Sequence, residues 1–94
     1  MFAAPVYAAE RLLAEAIHDE HVTVDAVVVL DALAEHVTDV EAPALEAVAE
    51  NTQLSCEELT AALGDLDDLG YLQELAEYAP PLSALRASLF GTAA

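Results

Sequence analysis

Lysine is absent from this chain, and arginine occurs only as Arg11 and Arg86. Against those two cations stand 18 acidic residues, for a formal net charge of −16. This balance argues against affinity for phosphate backbones, which comes from Lys and Arg releasing condensed counterions. Cysteine occurs once, as Cys56. No disulfide framework can form within the chain, and a reducing, cytoplasmic compartment is expected. Long apolar runs are missing: residues 26–30 fall far short of the roughly 20 needed to span a bilayer. Residues 1–9 carry no cation, and Glu10-Arg11 interrupts their apolar character. Neither a secretory signal nor membrane association is therefore expected.

What is present is a folding composition. The chain has 94 residues and is 56% hydrophobic, too rich in Leu and Val to stay disordered and long enough for one core. Three explanations of the acidity compete. A lysine-free acidic surface over an Ala- and Val-rich interior fits adaptation to multimolar salt, as in haloarchaea. Alternatively, the acid imitates DNA or docks a basic partner. Self-repulsion of this size weakens a compact state in dilute buffer, whereas about 1 M salt shortens the Debye length to roughly 3 Å.

Pro5 suits a helix start, and Leu12, Leu13, Ala16 and Ile17, with Tyr7 or Ala8, share one side of a helix predicted over residues 5–20. His18-Asp19-Glu20-His21 groups imidazoles and carboxylates but lacks the H-x-x-x-H spacing that puts two ligands on one face. A solvated helix end is expected there, with no metal and no cofactor. Thr23 can cap a second helix, predicted over residues 24–36, with Asp25 in its first turn. Val27, Leu30, Leu33, Ala34 and Val37 follow helical spacing despite three consecutive valines. Residues 38–41 alternate short β-formers with acids and suggest a short strand. Residues 71–75 alternate partially after Gly70 and suggest another. From Pro81 a final helix carries Leu82, Leu85, Leu89 and Phe90 as one stripe.

The most informative stretch is residues 44–72. Leu45, Val48 and Ala49 form the stripe of a short helix ending near Asn51-Thr52. A turn, Gln53-Leu54-Ser55, leads into a longer helix closed by Gly70. Ser55 and Glu58 make an S-x-x-E capping box, and Leu59, Ala62, Leu63, Leu66 and Leu69 recur on one face. With the exit Leu69-Gly70-Tyr71-Leu72, this stretch resembles the winged helix-turn-helix domains of archaeal and bacterial transcription regulators.

The resemblance covers about half the chain. It implies a mostly α fold: a winged-helix-like helix-turn-helix core over residues 23–75, with a short or vestigial β wing. An N-terminal helix at 1–22 and a C-terminal helix at 76–94 flank that core within one domain. It also implies a recognition-helix face made of Glu57, Thr60, Ala61, Gly64, Asp65 and Asp68, where regulators usually present Arg, Lys, Ser, Gln or Asn to the major groove. Here the face is acidic, each close charge pair with a phosphate costs about 1 kcal/mol in water, and no cation-bearing hairpin follows.

Other chemistries fare poorly. Acyl carrier proteins need Asp-Ser-Leu at a helix start, and Ser55, Ser83 and Ser88 lie in other contexts. Cys56 stands at a helix start, but no spacing sets His18, His21 or His36 beside it as a base. No enzyme activity or catalytic residue is expected. Regulators of this type commonly dimerise through flanking helices, which makes Leu12, Leu13, Ile17, Leu82, Leu85, Leu89 and Phe90 a candidate homodimer interface. The same residues could instead close the monomer's own core. The expected function is a small acidic regulatory protein acting through protein contacts, as homodimer or adaptor. The alternatives are a DNA-binding transcription regulator working only at high salt, and a DNA-mimicking inhibitor.

Overall fold

Apolar residues in this chain recur mainly at three- and four-residue intervals, and the structure realises that period almost throughout. A computed structural model describes residues 4–90, which form six helices. They are α1 (Ala4–Ile17), α2 (Val24–Ala34), α3 (Leu45–Thr52), α4 (Cys56–Asp68), α5 (Tyr71–Tyr78) and α6 (Pro80–Phe90). Two of them act as hubs: α2 packs on α1, α3 and α4, while α5 packs on α1, α4 and α6. The core they share includes Leu12, Val29, Leu30, Leu33, Val48, Leu59, Leu63, Leu66, Leu72, Leu75 and Leu82, all essentially inaccessible.

Local chemistry sets the boundaries. Thr23 Oγ1 accepts from Ala26 N at 3.1 Å and starts α2. Ser55 Oγ accepts from Glu58 N at 3.1 Å while Glu58 Oε1 accepts from Ser55 N at 2.9 Å, so the capping box forms and fixes the start of α4. Between α3 and α4 the chain turns through Gln53 at φ 61, and Leu54 packs against the core beneath it. Helices α1 and α2 end earlier than the expected residues 20 and 36. At both ends the next amides reach back three residues, His18 N to Glu15 O at 3.2 Å and His36 N to Leu33 O at 2.9 Å, tightening the last turn.

The expected winged-helix-like fold, with its short or vestigial β wing, is not what the chain adopts: the described residues form an all-helical fold. Among the described residues there is no strand. A strand must satisfy its backbone through a partner, and neither candidate segment finds one. Residues 38–41 form turn and bend: Asp39 N donates to His36 O at 3.1 Å, and Val40 is 97% exposed, so no apolar face is buried there. Residues 71–75 belong to α5. Tyr71, Leu72 and Leu75 are buried at positions i, i+1 and i+4, a helical spacing that resembles alternation when read over five residues. Gly70, at φ 91, both follows the end of α4 and caps the start of α5. Helix α5 therefore runs across the boundary expected between residues 75 and 76, and it packs on α6 where a short strand was expected to end the core.

Candidate functional site

Helix α4 buries Leu59, Ala62, Leu63 and Leu66, and helical geometry turns the intervening residues outward. Glu57, Thr60, Ala61, Asp65 and Asp68 are exposed and Gly64 is half-buried, so the six candidate recognition residues lie on the outer side of one helix. Thr60 Oγ1 donates to its own helix, to Cys56 O at 2.8 Å. Glu57, Asp65 and Asp68 form no ion pair among the described residues. This face is a set of uncompensated carboxylates.

The cations are used elsewhere. Arg86 Nε on α6 donates to Asp67 Oδ1 at 2.5 Å, with both side chains largely covered, and ties α6 to the end of α4. Arg11 on α1 donates to Glu15 Oε2 at 2.7 Å and also to Glu74 on α5. The hydrogen bond that Arg11 donates to Glu74 is the main influence raising the pKa of Arg11 further above its already high value. Since the sequence has no other Arg or Lys, both of its basic side chains already hold helices together.

The seam between α1 and α5 is the most built part of the surface. Its helices run antiparallel, as three juxtapositions show: Tyr7 beside Tyr78, Arg11 bonded to Glu74, and Asp19 bonded to Tyr71. Tyr71 Oη donates to Asp19 Oδ2 at 2.8 Å, and Asp19 Oδ1 accepts from His21 N at 2.9 Å. Burial, reinforced by the Asp19 hydrogen bond, pushes the Tyr71 phenol up to about 12. The His21 amide and then the Tyr71 hydroxyl hold Asp19 below its ordinary value. Two open depressions follow this seam and meet at Arg11. One, of about 390 Å³, is walled by Tyr7, Ala8, Arg11 and Tyr78. The other, of about 630 Å³, is lined by Arg11, Ala14, Glu15, His18, Asp19 and Tyr71.

The remaining candidates distribute as follows. Of the residues proposed for a dimer interface, Leu12, Leu82 and Leu85 are buried inside the monomer, and Leu13 and Leu89 pack against its core. Ile17 and Phe90 remain 60% and 38% exposed. No group of three or more metal-ligating side chains occurs among the described residues. Asp19 serves structure, while His18 and His21 are exposed. His36 Nδ1 lies 2.7 Å from Asp39 Oδ2, and Cys56 is exposed at the start of α4. Among the described residues no helix is long and apolar enough to cross a membrane. Sequence reasoning missed the Tyr7–Tyr78 juxtaposition. Its only local signal is that Ala8, not Tyr7, takes the buried position of α1.

Comparison with protein-family models, curated proteins and solved structures gave no match.

Proposed function

We propose that this chain is a small acidic helical regulatory protein that works through protein–protein contacts, as an adaptor for a basic partner. The observation that carries this reading is the disposition of charge. Arg11 and Arg86 are both consumed in ion pairs between helices, while Glu57, Asp65 and Asp68 stand outward on α4 with no ion pair among the described residues. A duplex approaching that face meets repulsion and no cation to offset it. A basic protein surface meets complementary charge, which favours encounter and register.

Self-association is the weaker form of contact here. Three of the seven candidate interface residues are buried in the monomer's core, and each copy brings a net charge of −16. The discriminating experiment presents the folded chain, in parallel, with mixed-sequence DNA duplexes and with a panel of basic and acidic protein domains of matched size. Salt is varied from about 0.1 to 1 M, over which the Debye length falls from roughly 10 to 3 Å. Binding confined to basic domains, weakened by Glu57→Gln/Asp65→Asn/Asp68→Asn and by added salt, is expected. Sequence-selective DNA binding overturns the reading.

A further inference from the structure

Tyr7 is 71% exposed and Tyr78 is 43% exposed, and they wall the same depression from two different helices. Large aromatic side chains left in water in this paired way mark contact surfaces more often than chance exposure does. From Tyr7 to His18 the groove follows one face of α1 for 11 residues of helical rise, about 17 Å. That length accommodates about three turns of a partner helix. Its polar lining is acidic on balance, because Glu15, Asp19 and Glu74 border it and Arg11 is the only cation among them.

We infer that the α1/α5 groove is the docking site for an arginine-bearing amphipathic helix of a basic partner protein, with a guanidinium stacked against Tyr7 and Tyr78. The inference rests on the reading that the chain acts through protein contacts, and it adds a docking groove to the acidic face of α4. Charge selects the occupant. A second copy of this chain brings a large negative charge, and its own two arginines are already held by Glu15, Glu74 and Asp67. An acidic segment finds the Arg11 guanidinium already neutralised and carboxylates around it. An Arg-bearing segment finds tyrosine faces for cation–π stacking and a border where Glu15, Asp19 and Glu74 outweigh the single charge of Arg11, leaving net negative charge to receive it. Ala8 and Ala14 keep the floor low enough for a helix to approach.

The test uses the full chain and a fluorescein-labelled Arg/Leu amphipathic peptide of three helical turns, with the Glu-for-Arg peptide as control. Anisotropy is followed in buffer where circular dichroism reports the native helix content. Saturable binding of the Arg peptide alone is expected. Tyr7→Ala/Tyr78→Ala should weaken it about five- to thirtyfold, as two exposed cation–π contacts imply. Both side chains are exposed, so folding is preserved; Ala14→Lys supplies a second variant that leaves both tyrosines in place and sets a cation in the groove, and it should weaken binding too. If basic domains and the peptide still bind both groove variants as tightly as wild type, the groove assignment is overturned and the protein-contact reading stands. If neither the peptide nor any basic domain binds the folded wild type, both fall.

Discussion

Gly64 and Gly70 lie six positions apart and carry opposite demands. Gly70 sits at φ 91 between α4 and α5, in a region where an L side chain costs roughly 1–2 kcal/mol. Gly70→Ala should therefore destabilise the chain by about that amount, seen as a lower urea midpoint with unchanged slope. Gly64 is inside α4, and a Cβ there meets nothing within 4 Å. Packing gives no reason for glycine at that position, which costs a helix about 0.5–1 kcal/mol relative to alanine. Gly64→Ala should raise stability by about that much. A loss instead would mean that α4 is not a regular, outward-facing helix at this point. Ser55 is a third such residue: removing its hydroxyl opens one half of the capping box, and Ser55→Ala should cost about 1 kcal/mol.

Helix α5 is packed along α1 with two polar contacts, Tyr71 to Asp19 and Arg11 to Glu74, made from successive turns of α5 beside its buried Leu72 and Leu75. The first of these titrates. Tyr71 keeps its proton in the fold beyond the ordinary phenol value of 10, so its contribution is complete below pH 10 and is lost as pH rises toward about 12. Asp19 is shifted the other way; its contribution is complete above the ordinary carboxylate range and fades as acid protonates it. Tyr71→Phe should cost about 1 kcal/mol near neutrality through the lost hydrogen bond. It should also flatten the fall in urea midpoint between pH 10 and 12, and an alkaline limb identical to wild type would show that another group controls it. Helices α1 to α4 were legible because each repeats its apolar stripe over at least two turns or opens on a Ser, Thr or Pro signal. Helix α5 was not: Tyr71-Leu72-Gln73-Glu74-Leu75 is too short to separate a period of 3.6 from one of 2 after a glycine. The outer face of α4 could be read from one helix alone. The α1/α5 groove could not, since it joins Tyr7 to Tyr78 through a packing that the misassigned α5 concealed.

Charge is the property of the molecule as a whole. No charged side chain is buried among the described residues, so the acids share a surface on a body whose Cα radius of gyration is 12.1 Å. At about 0.1 M salt the Debye length is roughly 10 Å, close to that radius, and carboxylates on one face repel those on the next. At about 1 M it is roughly 3 Å, and only near neighbours interact. Screening also weakens the exposed Arg11 pairs, which contribute at most about 1 kcal/mol each, and weakens the largely covered Arg86–Asp67 pair less. With 18 acids against two arginines, relief of repulsion outweighs that loss. Thermal stability should therefore climb between about 0.1 and 1 M KCl, each 1 kcal/mol of relieved repulsion raising Tm by roughly 4–8 °C in a domain of this size. Glu57→Gln/Asp65→Asn/Asp68→Asn should raise Tm at low salt and shrink the climb, because it removes three of the charges whose repulsion salt screens. A Tm that stays flat or falls with KCl in wild type would mean that the Arg11 and Arg86 pairs contribute more than the whole acidic surface costs. The choice of KCl separates screening from salting-out: the same series in sodium sulfate, matched for ionic strength, should add stability through solvent exclusion in wild type and variant alike, whereas the difference between the two proteins should follow ionic strength alone.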